Sequence, residues 1–104
     1  MPGYELSEAA DRDLSEIYLY TFRTFGEAQA DRYISKLKAM IEALVATPRI
    51  GPAYDGGPTQ SVGEMRQFRC ESHNIFYEVV DAGIFVVRIL HVRMRAEDHL
   101  QDLN

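Results

Sequence analysis

The chain has 104 residues, 46% of them apolar and 26% charged, with Lys+Arg 11 against Asp+Glu 16 for a net charge of −5. That mix belongs to a folded domain, and at this length one domain spanning 1–104 is expected, burying roughly 65% of the surface its unfolded chain exposes. The lone Cys70 excludes an internal disulfide, no Cys/His spacing suits structural zinc, and apolar runs of four residues are too short to cross a bilayer. No secretory signal follows Met1, so a reducing, cytoplasmic location is expected. Neither half of the chain is net basic, which counts against direct nucleic-acid binding, because phosphate neutralisation supplies most of that affinity.

Gly3 to Leu6 read as a short strand. Ser7 is a good N-cap for a first helix, with Glu8 and Asp11 placed where the helix dipole favours negative charge. Ala10, Leu14, Ile17, Thr21 and Phe25 recur at helical steps, with Tyr18 and Phe22 beside them, and Gly26 suits a left-handed stop. Ala30, Tyr33, Ile34, Leu37, Met40, Ile41 and Leu44 form the stripe of a second helix ending near Thr47, because Pro48 disfavours helix in the residue before it. So short a connection predicts an antiparallel αα-hairpin.

Between Thr47 and Gly63, seven residues are Gly or Pro (Pro48, Gly51, Pro52, Gly56, Gly57, Pro58 and Gly63), a stretch that reads either as a connector or as a binding loop. Gly56-Gly57-Pro58 lacks the Lys-Ser/Thr of a phosphate-binding loop. Strands follow over Met65–Glu71, Asn74–Asp81 and Ile84–Arg93, and a short polar helix over Ala96–Leu103 closes the chain. The fold class is therefore α+β: an N-terminal strand and a helical hairpin on a small antiparallel sheet.

A two-residue turn at Ala82-Gly83 pairs Asp81 with Ile84, and hence Val79 with Val86, Tyr77 with Arg88, Ile75 with Leu90 and Asn74 with His91. A similar turn at Ser72-His73 sets Cys70 beside Ile75 and Phe68 beside Tyr77. One face then carries Phe68, Cys70, Ile75, Tyr77, Val79, Val86 and Leu90 toward the helices. The other mixes Phe76, Val80, Phe85, Val87 and Ile89 with Gln67, Arg69, Asn74, Glu78, His91 and Arg93. These apolar residues either lie open to a partner or are covered by the loop from Thr47 or the C-terminal segment. In this register Glu78 and His91 are roughly 13 Å apart, too far for a proton-transfer pair. Arg88, on the helical face, needs a buried partner, for which Asp13 or Glu16 is placed. Cys70 reads as a small core residue. The three histidines have no helical metal-ligand spacing.

The element order and five motifs resemble the RelE/ParE toxin superfamily, and its ParE branch most. These are Tyr4 to Leu14 with Ile17-Tyr18, Phe25 to Tyr33, Pro48-Arg49-Ile50-Gly51, Ser72 to Tyr77, and Val87-Arg88-Ile89-Leu90-His91. The resemblance spans nearly the whole chain. It implies the toxin of a type II toxin–antitoxin system, inhibiting DNA gyrase without catalysis or cofactor and neutralised by a ParD-like antitoxin. The alternative is the RelE branch, a ribosome-dependent mRNA endoribonuclease using basic residues and a tyrosine on the sheet. Those positions fall approximately on Met65, Gln67, Asn74, Met94 and Leu100, none suited to proton transfer or phosphorane stabilisation. No lysine follows Lys38. Antitoxin contacts are expected at Tyr20, Phe76, Val87, Ile89, His91 and Arg93, and target contacts at Arg69, His91 and Arg93.

Overall fold

The computed structural model describes residues 3–55 and 64–100. Strand β1 (Gly3–Leu6) leads into helices α1 (Glu8–Phe25) and α2 (Glu27–Ala46), then a single 3₁₀ turn (Pro48–Ile50). Strands β2 (Glu64–Cys70), β3 (His73–Val80) and β4 (Gly83–His91) follow, and a one-turn helix α3 (Ala96–His99) lies beyond them. The expected helix continued to Leu103, but residues 101–104 lie outside the described residues, as do Gly56, Gly57, Pro58 and Gly63. The sheet order is β1-β4-β3-β2, with β1 parallel to β4 and the other pairs antiparallel.

Ser7 caps α1 as expected: its Oγ accepts from the Ala10 amide at 2.9 Å. The same hydroxyl donates to the Val87 carbonyl at 2.6 Å, and the Ser7 amide donates to the Val86 carbonyl at 2.9 Å. One residue thus starts the helix and ties its corner to β4. A single glycine, Gly26 at φ 94°, separates the helices, a backbone conformation costly for residues with a Cβ. The hairpin buries Ala10, Leu14, Leu37, Ile41 and Leu44 against Ile75, Tyr77, Ile84, Val86 and Ile89 of the sheet. Each fully buried aliphatic side chain contributes about 1.5–3 kcal/mol. Tyr77 is wholly buried, and its hydroxyl donates to the Pro48 carbonyl at 2.7 Å, fastening the segment after α2.

The strand pairing differs from the expected register in two ways. Both hairpin turns come one residue earlier: Val80 pairs with Gly83, and Cys70 with His73. Gly83 explains the first shift. It sits at φ +135°, and a Cβ there would lie 1.9 Å from the Gly3 carbonyl oxygen, so its place is in the β1–β4 pair and not at the turn's centre. Such a shift moves pairing by two positions and leaves the faces unchanged.

The second difference does change faces. A β-bulge at Val87, opposite the Phe76/Tyr77 step, adds one residue to β4. Tyr77 pairs with Val86, yet Phe76 pairs with Arg88, Ile75 with Ile89 and His73 with His91. Ile89 and His91 therefore turn toward the helices, and Leu90 turns away. This corrects the expected faces of Arg88, Ile89, Leu90 and His91: Arg88 pairs with Phe76 on the far face and not with Tyr77. Arg88 still reaches Asp13, the expected ion pair: Nε meets Oδ2 at 2.8 Å and Nη2 meets Oδ1 at 2.9 Å. Asp13 Oδ2 also accepts from the Ile89 amide at 2.9 Å, occupying the edge of β4 beyond the end of β1.

The far face of the sheet is covered. Met65, Phe76, Val87, Leu90 and Leu100 form a second core with Tyr54, Phe85 and Ala96 against it. Residues 52–54 run along β2, with the Tyr54 amide donating to the Met65 carbonyl and the Gln67 amide to the Pro52 carbonyl. The Tyr54 ring meets Phe76 edge-on at 5.1 Å. Of the two alternatives open from sequence, the loop and the C-terminal segment both close this face.

Candidate functional site

The expected sheet-face site does not exist as an open surface. Phe76 (2% exposed) and Val87 (0%) are sealed beneath Tyr54 and Leu100, and Ile89 (2%) lies in the core under the helices. Tyr20 is 67% exposed on α1, while Arg69 and Arg93 are exposed near one end of the sheet. Arg69 Nε donates to the Glu71 carbonyl, which draws this side chain back over the β2–β3 turn.

His91 is half-buried and belongs to a cluster that sequence reasoning missed. The His91 and His73 rings meet edge to face at 5.3 Å, and His73 Nδ1 hydrogen-bonds the Tyr33 hydroxyl of α2 at 2.6 Å. The Arg93 amide donates to His91 Nδ1 at 3.1 Å, which places the proton of the neutral ring on Nε2. Burial holds His73 down at a pKa of about 4, aided by His91 and opposed by Asp13. The cross-strand contact of His73 with His91 follows from the bulge. Glu78 lies five positions from His73 along β3, on the opposite face from His91, so the two form no acid–base pair. Burial also pushes the Cys70 thiol up, in keeping with a core role. Among the described residues no three His, Cys, Asp or Glu side chains gather to hold a metal.

A concavity lies elsewhere, among the helices and β1. A groove of about 600 Å³ runs between β1 and the two helices. Leu6, Leu14 and Ile34 form its apolar floor, and Tyr4 and Tyr18 stand along it. Asp11, Asp31 and one cation, Lys38, also line it. The Tyr18 hydroxyl donates to Asp31 Oδ1 at 3.1 Å, bridging the two helices across the groove. Beside it, β1 is the outer strand of the sheet, and among the described residues no strand pairs with its second edge. Leu19 (46% exposed), Phe22 (45%) and Phe25 (59%) extend apolar surface from Tyr18 toward the hairpin tip. The sequence held a signal for this surface: the apolar positions of α1 span more of its circumference than one packed face requires.

Residues 4–96 match the family model described as the ParE toxin of type II toxin–antitoxin system, parDE. The chain is 39% identical to Toxin ParE1 of Mycobacterium tuberculosis, covering 93% of this chain and 96% of the relative. It is 39% identical to Toxin ParE of Escherichia coli, with 98% and 96% covered, and 33% identical to Toxin ParE1 of Caulobacter vibrioides, with 96% and 99% covered. Among solved structures it resembles a chain of the chromosomal ParDE TA system from P. aeruginosa, with TM-score 0.69 and 22% identity over 89% of this chain and 98% of that one. That likeness speaks to the fold.

Proposed function

The chain belongs to the ParE toxin family of type II toxin–antitoxin systems, and from that premise we propose that it inhibits DNA gyrase by binding and is silenced by a ParD-like antitoxin in the groove of β1, α1 and α2. The groove carries the antitoxin reading. Its apolar floor takes the hydrophobic side chains of an extended or helical segment, and Asp11 and Asp31 favour basic residues on that segment. The free edge of β1 offers backbone pairing to an extended stretch alongside. Tyr20 is proposed at the margin of the same partner surface. Arg69, His91 and Arg93 are proposed as target contacts in the cytoplasm, where gyrase acts.

Action by binding and not by RNA cleavage is supported by the positions at which the RelE branch places its chemistry. Met65 and Leu100 are apolar core residues here, and Gln67, Asn74 and Met94 offer no titratable group. The test uses the purified chain. It is expected to block supercoiling by gyrase and to leave ribosome-bound mRNA intact, and added antitoxin restores supercoiling. In calorimetry, Ile34→Lys is expected to weaken antitoxin binding at least tenfold by placing a charge on the apolar floor. Cleaved mRNA with unimpaired gyrase overturns the gyrase reading, and unchanged antitoxin affinity overturns the groove assignment.

A further inference from the structure

The groove accounts for Tyr4, Leu6, Leu14 and Ile34, but not for the outward face of α1 toward the hairpin tip. There Leu19, Phe22 and Phe25 stand about half exposed within seven residues. Glu16 and Arg23 flank them, both exposed and neither bonded to another side chain among the described residues. At about 100° per residue, Leu19 and Phe22 sit side by side on the outward face. Tyr18 and Phe25 run along one flank and Glu16 and Arg23 along the other.

This arrangement is complementary to itself. Consider a second copy of α1 laid antiparallel, with a two-fold axis between Leu19 and Phe22. Leu19 then meets Phe22 of its partner copy, and equal flanks face each other. Arg23 falls within a turn of the second copy's Glu16, and Phe25 within a turn of its Tyr18, each contact occurring twice by symmetry. A parallel arrangement, or a partner of one charge sign, satisfies only part of this pattern.

We propose that this face of α1 is a self-association surface, which pairs two copies of the chain through antiparallel α1 helices. The size fits a reversible contact. At the exposures given, Leu19, Phe22 and Phe25 present on the order of 300 Å² of apolar side chain per copy. With Tyr18 and the charged flanks, the two copies together bury roughly 1,000 Å², the lower limit for a specific interface. The dimer is therefore weak and concentration-dependent. Because Tyr18 also stands in the groove, self-association and occupation of the groove meet at that residue.

Sedimentation equilibrium of the purified chain tests this between roughly 1 and 500 µM, the range in which so small an interface dissociates. The average mass is expected to rise from that of one chain toward that of two. Arg23→Glu sets four like charges along the contact and is expected to weaken the dimer by about tenfold. Combining it with Glu16→Arg restores the pairing, whereas Phe22→Ser abolishes it. Far-UV dichroism is expected to be unchanged in all three, since the altered side chains are at the surface. A mass of one chain throughout overturns the proposal, as does a dimer indifferent to the charge reversal. Protection of Leu19 and Phe22 from exchange only when antitoxin is present also overturns it, and assigns the face to the antitoxin.

Discussion

Replacing Arg88 by methionine isolates the buried ion pair between α1 and β4. The Arg88 and Asp13 side chains are only 16% and 9% exposed. In the native chain Asp13 accepts Nε of Arg88 at 2.8 Å, Nη2 at 2.9 Å and the Ile89 amide at 2.9 Å. Arg88→Met removes the first two and strands a buried carboxylate on one backbone donor, a loss of about 3–5 kcal/mol. It also removes the bond from Nη1 to the His99 carbonyl, the link to the segment that brings Leu100 over the second core. A domain of this size has about 5–15 kcal/mol in total, so the variant is expected to be marginal. Asp13→Asn keeps an acceptor for Ile89 but removes the negative charge that balances the guanidinium, and is also expected to destabilise the fold. The double variant Asp13→Asn/Arg88→Met removes both charges from this site and is expected to lose only about 1–2 kcal/mol. Urea unfolding gives the midpoints and slopes for the cycle. A loss below about 1 kcal/mol for Arg88→Met, or additive losses in the double variant, refutes the argument.

Gly83→Ala is expected to lower stability by about 2–4 kcal/mol and Tm by roughly 10–20 °C, because its Cβ collides with the Gly3 carbonyl and φ +135° strains the residue. An unchanged melt means the β1–β4 contact is looser than described. His73 binds its proton less readily folded than unfolded, so the unfolded state takes up more protons between pH 6.5 and about 4. Stability is thus expected to fall as pH drops through that window. The full shift corresponds to about 3 kcal/mol, which solvent screening of this half-buried ring reduces to on the order of 1–2 kcal/mol. Unfolding free energies of the native chain and His73→Gln between pH 7 and 4 are expected to converge by that amount; parallel curves contradict the assignment.

The helices were legible because their signals are local. Ser7, the stripe through Leu37, Ile41 and Leu44, and Pro48 each act within a turn or two of the chain. The partner of Arg88 was legible too, since a buried charge calls for an opposite charge within reach, although the face from which Arg88 reaches Asp13 was not. The bulge was not. Residues Ile84 to Val87 form an apolar run without alternation, so a period of two assigns no residue to either face, and one added residue leaves no mark. Every misplaced site residue beyond it, Ile89 and His91 in particular, follows from that position. The burial of Phe76 and Val87 was left open for another reason: their covers, Tyr54 and Leu100, are separated from them in sequence, so cover by the loop or the C-terminal segment stood as one of two alternatives. The surface of α1 from Tyr18 to Phe25 was read as packing because apolar spacing reveals which face is hydrophobic, not what lies against it.

The parallel pairing of β1 with β4 also orders events during synthesis. Gly3 pairs with Gly83, so the first strand leaves the ribosome about 80 residues before its partner exists. At 5–20 residues per second that is roughly 4–16 s. The helical hairpin, built from contacts near in sequence, can form within this interval, whereas the sheet that its apolar face covers cannot. Translation thus supplies a clock: for several seconds each new chain carries its finished hairpin with no sheet beneath it, and β4 is the piece that closes the fold.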